Sequence, residues 1–145
     1  MHIFRLFVSA VIISVGTLNL FSTELEWGDG VKILLIGGGT HHDYQKWFNE
    51  FDSELLEKTG RFSARYLEPQ ELTPANVESA DVLVISANKP FPDPAVRKAV
   101  FAHVERGEGA VLFHPGLWYS WSDWPEYNRV LAGGGARGHD SYGEF

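Results

Sequence analysis

The chain contains no cysteine among its 145 residues. This absence excludes disulfides, thiolate metal ligands and a cysteine nucleophile, so catalysis has to use histidine, carboxylate or hydroxyl groups, or a metal that they hold. Basic residues are also scarce, because 12 Lys and Arg stand against 19 Asp and Glu, for a formal net charge of −7. Affinity for phosphate backbones comes mainly from clustered Lys and Arg, so we expect no nucleic-acid partner.

Long apolar runs are confined to the N-terminus. Arg5 precedes the apolar residues 6–21, and the acidic Glu24 follows soon afterwards. This order is typical of a secretory signal peptide, which we place at residues 1–22. It predicts export to the periplasm or the extracellular space. Cleavage after Ser22 removes one fixed positive charge, which changes the net charge to −7 − 1 = −8, and leaves no stable membrane span. An uncleaved anchor is the alternative, because the run is close to the shortest length that crosses a bilayer.

The remaining composition, with 44% hydrophobic and 21% charged residues, fits one globular domain with a core. Residues 31–36 and 81–86 form apolar runs that indicate strands buried on both faces of a parallel sheet. Residues 109–113 indicate another strand, and residues 61–67 alternate like a more exposed one.

Helices alternate with these strands. Asp43 is placed to cap a helix over residues 44–59 that ends at Gly60, and Asp93 with Pro94 begins another that ends at Gly107. This order predicts one domain over residues 31–145. Its fold class is α/β, with a doubly wound, mostly parallel, flavodoxin-like sheet.

Histidines follow several predicted strands, at the edge where such sheets bind ligands. His41 and His42 follow the first strand, His114 follows the last, and His139 lies in a terminal glycine-rich loop. Imidazoles from separate loops can bind a divalent metal or act as general acid and base near neutral pH. The spacing matches no zinc pattern, and the alternative is that each ring bonds backbone groups in a crowded turn. The cofactor therefore stays open, with His41, His114 and His139 as the candidate metal ligands.

Aromatic residues cluster after the strand at residues 109–113. Rings stack on the apolar faces of sugars while nearby polar groups bind hydroxyls, so the cluster favours a recognition surface. The alternative is a loop that packs its rings into the core over the end of the sheet. The three glycines at 37–39 lack both the dinucleotide and the P-loop fingerprints, and a tight turn explains them equally well.

Three stretches together resemble the ThuA-like (trehalose utilisation) family: residues 36–44, residues 81–86, and the aromatic and glycine-rich residues 114–140. The resemblance covers the chain from about Val31 to its last residue. It implies a flavodoxin-like sheet related to class I glutamine amidotransferases, and a role in the metabolism of trehalose or related disaccharides, oxidised ones included. The family's strand-end histidines carry over to His41 or His42, to His114 and to His139.

The chain departs from those relatives at two places. Their nucleophilic cysteine would follow the strand at residues 109–113, where this chain has His114-Pro115-Gly116, so amidotransfer by a thiolate is excluded. A ThuA-like domain also continues beyond the motif at residues 143–145. We therefore expect a domain that is incomplete at its C-terminus, with an unpaired sheet edge and an uncovered apolar face.

The sequence thus predicts an exported, ThuA-like sugar-modifying domain whose partner is a small-molecule sugar. His114, His139 and His41 are the predicted catalytic residues. The predicted substrate-binding residues are His42, Asp43, Asn88, Trp118, Tyr119, Trp121, Trp124, Arg137 and Asp140. The alternative function is a non-catalytic carbohydrate-binding or scaffold module that kept an amidotransferase-like fold without its nucleophile.

Overall fold

A computed structural model describes residues 24–40, 42–118 and 123–134. Its strands form one parallel sheet in the order β2-β1-β3-β4, which is the order of the first four strands of a flavodoxin-like sheet. The predicted α/β architecture is confirmed. The strands are β1 (Val31–Gly38), β2 (Phe62–Leu67), β3 (Val82–Ala87) and β4 (Gly109–Leu112). The helices are π1 (Gln45–Asp52), α1 (Ser53–Lys58), α2 (Pro74–Ser79), α3 (Pro94–Glu105), α4 (His114–Trp118) and π2 (Tyr127–Leu131).

Helices lie on both faces of the sheet. Successive side chains of a strand point to opposite sides, so one strand can contribute to two separate cores. Leu34 and Ile36 of β1 join the larger core, which includes residues of α2, α3 and π2, and we call this side the closed face. Ile33 and Leu35 join a smaller core with Phe48 of π1, and we call this side the open face. The connection after β1 therefore crosses the open face, and those on either side of β3 cross the closed face, as a doubly wound sheet requires.

The closed-face helices begin at side-chain caps, of which the sequence predicts the one at Asp93. The Asp93 carboxylate accepts a hydrogen bond from the Ala95 N–H at 2.8 Å, with Pro94 in the first turn of α3. Thr73 and Asn76 form a reciprocal capping box at the start of α2. These side chains satisfy donors that a helix leaves unpaired at its N-terminus, which fixes where both helices begin.

The open-face helix differs from the prediction in its geometry. The sequence predicts an α-helix over residues 44–59, whereas the first eight helical residues form the π-helical π1, which continues directly into α1. The Phe48 carbonyl accepts from the backbone N–H of Ser53 and also from its hydroxyl, at 2.8 Å for the hydroxyl. A hydroxyl that bonds a carbonyl five residues earlier stabilises the wider turn.

The open face leaves several large apolar side chains exposed. The strand β4 pairs only with β3 in the described part of the chain, and Val111 and Phe113 remain exposed beside it. Trp47, Phe51 and Leu55 are also exposed, at a spacing of four residues along the neighbouring helix. The open face is therefore less covered than the closed face within the described part of the chain.

No helix within residues 24–40, 42–118 and 123–134 is long and apolar enough to cross a membrane. The predicted signal peptide at residues 1–22 lies outside the described residues.

Candidate functional site

A cavity of about 210 Å³ lies at the carboxyl ends of β1 and β3. These neighbouring strands are the ones from which the chain crosses to opposite faces of the sheet, and ligands of doubly wound proteins bind at that position. The residues that line the cavity are His42, Asp43, Tyr44, Trp47, Phe48, Ser86 and Pro115.

Two histidines from distant parts of the sequence meet beside this cavity: His42 lines it, whereas His114 contacts His42 but is not among the described lining residues. His42 follows β1 and His114 follows β4, and their ring centroids lie 6.3 Å apart with the planes at 84°. Both residues are exposed, so a ligand can reach them. A pair of imidazoles at this separation can act on neighbouring atoms of one ligand, one as proton acceptor and the other as proton donor.

The strand-to-helix turn at His114 is held close to β3. A Cβ atom added at Gly116 would lie 2.7 Å from the carbonyl oxygen of Ile85, so α4 can approach β3 this closely only with glycine there. The Phe113 N–H donates to the same carbonyl at 2.9 Å. No described residue other than glycine has a positive φ, so the turn lacks the strained backbone of a nucleophile elbow. This geometry agrees with the absence of a nucleophile at this turn.

Glycine at position 37 makes room for the ring of Tyr44. A Cβ atom at Gly37 would lie 2.7 Å from Cδ1 of Tyr44 and 3.0 Å from Cε2 of Tyr66. Gly37 is also the register partner of Ser86 on β3. The Tyr44 ring therefore lies over the end of β1, with its hydroxyl beside Ser86. The close approach of an aromatic ring explains this glycine without a bound phosphate.

Burial dominates the electrostatics of the tyrosines on the open face. Loss of solvation raises the pKa of Tyr44, and the neighbouring Ser86 hydroxyl offsets part of this rise. Burial also raises the pKa of Tyr66 to about 12, with a further contribution from the charges of Glu68 and Glu71. Both phenols are therefore neutral hydrogen-bond donors at physiological pH.

Two predicted polar residues have clear structural positions. The Asp43 carboxylate accepts from the Lys46 N–H at 3.1 Å, as a helix cap, and also lines the cavity. The Asn88 N–H donates to the carbonyl of Gly38 at 3.0 Å, and the Asn88 side chain lies against Gly39. Asn88 thus lies at the same sheet edge but is not among the described residues that line the cavity.

The aromatic predictions divide between the core and residues that the structure does not describe. Trp124 is 5% exposed and packs on the closed face against Phe91, Phe101 and Tyr127. Trp118 is the last residue of α4. The other predicted site residues lie outside the described residues: His41, Tyr119, Trp121, Arg137, His139 and Asp140.

The described residues contain no group of three or more His, Asp or Glu side chains placed to hold a metal ion. Of the three metal candidates, His114 is described, whereas His41 and His139 lie outside the described residues. The chemistry that can be assigned here is that of two imidazoles, two hydroxyls and one carboxylate.

The sequence prediction did not include Tyr44, Trp47 and Ser86 in the site. Ser86 is the polar residue at the carboxyl end of an otherwise apolar strand, and this position was a usable signal. The sequence assigns Tyr44 and Trp47 to a helix, but helical periodicity does not show which positions of its first turn face the sheet edge.

Comparisons with protein-family models, with curated proteins and with solved structures give no match to this chain.

Proposed function

We propose that this domain binds and modifies a sugar or sugar derivative in the cavity between β1 and β3, as a ThuA-like protein of trehalose or related disaccharide metabolism. The observation that carries the proposal is the approach of His42 and His114 at the switch point of the sheet, beside a half-exposed indole. Sugars are recognised by this combination, since rings pack on their apolar faces and polar groups bind their hydroxyls. The motifs shared with the ThuA-like family support the same assignment.

The reaction that suits this pair of histidines is proton transfer beside a ketone in an oxidised sugar. His114 as the neutral base takes the proton from the carbon next to the carbonyl, and the electron pair of that C–H bond forms a carbon–carbon double bond. His42 as imidazolium gives its proton to the carbonyl oxygen, which yields an enediol. Protons and electrons balance without an external oxidant or a nucleophile, which suits a chain without cysteine.

The proposal includes export through the N-terminal segment at residues 1–22. It also keeps His139 and His41 as further acid, base or metal-binding groups. The substrate would then be a small sugar outside the cytoplasm.

The test is exchange of the carbon-bound hydrogen for deuterium in a keto-disaccharide, followed by NMR in heavy water. Since general acid–base catalysis contributes about 10² to 10⁴ in rate, His114→Ala and His42→Ala should each slow exchange by about 10²-fold or more. Lys98→Ala, an exposed position on α3, is the control and should exchange like the unmodified protein. Equal exchange rates in both histidine variants and the unmodified protein would refute the catalytic proposal.

A second candidate is a carbohydrate-binding module without catalysis. The half-exposed Trp47 on the cavity wall favours it, because an accessible indole can stack on a sugar without any chemistry. This candidate predicts quenching of tryptophan fluorescence by sugars, lost in Trp47→Phe, with no deuterium exchange and no product. Calorimetry and product analysis on the same sugars separate the two functions.

A further inference from the structure

Tyr44 carries a buried hydroxyl oxygen that makes no hydrogen bond of normal geometry in the described part of the chain. The residue is 7% exposed. A buried polar atom left unpaired is destabilising, and such atoms are uncommon in folded proteins. Phenylalanine would fill the same space without this cost, so the hydroxyl calls for a functional explanation.

The ring of Tyr44 is held in place from several sides. It lies over Gly37, where no side chain intervenes, and makes an edge contact with Phe48 at 5.7 Å between centroids. His42 makes a second edge contact at 5.7 Å. The hydroxyl therefore has a fixed position beside Ser86, which stands directly across from Gly37 on the next strand.

Ser86 is 5% exposed and lines the cavity together with Tyr44. A phenol that stays protonated keeps a proton that it can donate to the serine oxygen. When Ser86 Oγ accepts that proton, its own O–H is left to point elsewhere, and the adjacent open space is the cavity. Tyr44 thereby orients the Ser86 O–H towards the cavity.

We infer that Ser86 is a specificity-determining donor that binds an acceptor oxygen of the ligand, a ketone oxygen in preference to a hydroxyl, and that Tyr44 is the positioning residue that orients it. This inference rests on the proposed function, because it requires a sugar-derived ligand in the same cavity. A ketone oxygen only accepts hydrogen bonds, whereas a hydroxyl in its place also brings a proton that a fixed donor cannot accept.

The experiment compares two probes, trehalose and a keto-disaccharide made by oxidising one ring hydroxyl of trehalose, by calorimetry. The unmodified protein should bind the ketone more tightly. Tyr44→Phe and Ser86→Ala should each weaken ketone binding by about fivefold to tenfold, the size of one neutral hydrogen bond, and leave trehalose binding nearly unchanged. The double variant should be no weaker than Ser86→Ala alone, because both changes interrupt one chain of hydrogen bonds.

Tyr66→Phe is the matched control, since Tyr66 lies on the same face beside Gly37 but is not among the described residues that line the cavity. It should keep the preference for the ketone. Thermal unfolding separates a positioning role from a structural one, because Tyr44→Phe keeps the packed ring and removes a buried hydroxyl that has no partner of normal geometry, so Tm should be unchanged or higher.

Retention of the ketone preference in Tyr44→Phe would overturn the inference and leave the proposed function standing. Equal weakening for both sugars together with a lower Tm would also overturn it, since it would show a structural role. An unmodified protein that binds neither probe would overturn the proposed function and this inference with it.

Discussion

Two tryptophans on opposite faces of the sheet show how the same side chain serves two purposes. Trp124 on the closed face is 5% exposed and is enclosed by other aromatic rings, whereas Trp47 on the open face is 50% exposed and borders the cavity. The closed face is a filled core, and the open face keeps rings accessible beside polar groups. The difference shows that one face of the sheet carries an enclosed aromatic core, while the other keeps an indole accessible at the cavity where we propose that the ligand binds.

Removal of each indole would test this division most strongly. Trp124→Ala should lower the free energy of unfolding by about 3–5 kcal/mol, because it opens a large cavity among buried rings. Trp47→Ala should cost less than about 1 kcal/mol, since half of its surface already contacts water. Urea unfolding of both variants measures the effects, and similar losses in the two proteins would contradict the proposed division.

Gly37→Ala addresses the crowding at the end of β1. The new methyl group would meet the Tyr44 ring at 2.7 Å, and we expect a loss of about 1–3 kcal/mol together with displacement of that ring. Gly134→Ala is the control, since a Cβ atom there meets nothing within 4 Å. Thermal unfolding and near-UV circular dichroism compare the two, and an unchanged Tyr44 environment in Gly37→Ala would show that the ring has room to spare.

Asp43 combines a cap with a position on the cavity wall. Asp43→Ala should cost about 1 kcal/mol, because the Lys46 N–H loses its acceptor, whereas Asp43→Asn should retain most of the stability. Chemical denaturation of the two variants separates the cap from the charge. If alanine and asparagine give equal stability, the carboxylate does not act as a cap.

The smallest expected effect is that of Tyr66 ionisation on the free energy of unfolding, and it appears only at alkaline pH. Its pKa is raised to about 12 in the folded protein, above the ordinary value of 10.0, so the folded state holds its proton where the unfolded state has lost it. The stabilisation from this group is complete below pH 10 and is lost as the pH rises towards 12. Unfolding at pH 9 and pH 11 should show a smaller loss in Tyr66→Phe than in the unmodified protein, and identical losses would contradict this account.

The central strands were predictable because the residue pattern within each strand is enough to indicate its burial. The run at residues 31–36 is apolar except for Lys32, and residues 82–85 are all apolar. Central strands of a parallel sheet are buried on both sides, so pattern and environment agree. The cap at Asp93 was also predictable, because a carboxylate directly before a helix commonly accepts a hydrogen bond from an N–H of its first turn. The π geometry was not visible, because it depends on which carbonyl the Ser53 hydroxyl contacts.

The site was only partly predictable for a related reason. The topology brings strand ends together, so the approach of His42 and His114 follows from knowing the strand order. Whether an aromatic residue after a strand faces a cavity or the core depends on packing across the whole sheet. Sequence spacing therefore could not separate Trp124 from Trp47.

The wide turn of π1 makes the length of this segment as important as its composition. Deleting one residue between Phe48 and Ser53 would restore ordinary α-helical spacing and rotate the preceding residues by about 100° relative to α1. Tyr44 would then swing away from the glycine beneath it, and His42 would turn away from its partner histidine. An insertion or deletion here would therefore displace the residues that line the cavity and leave the pairing of the strands unchanged.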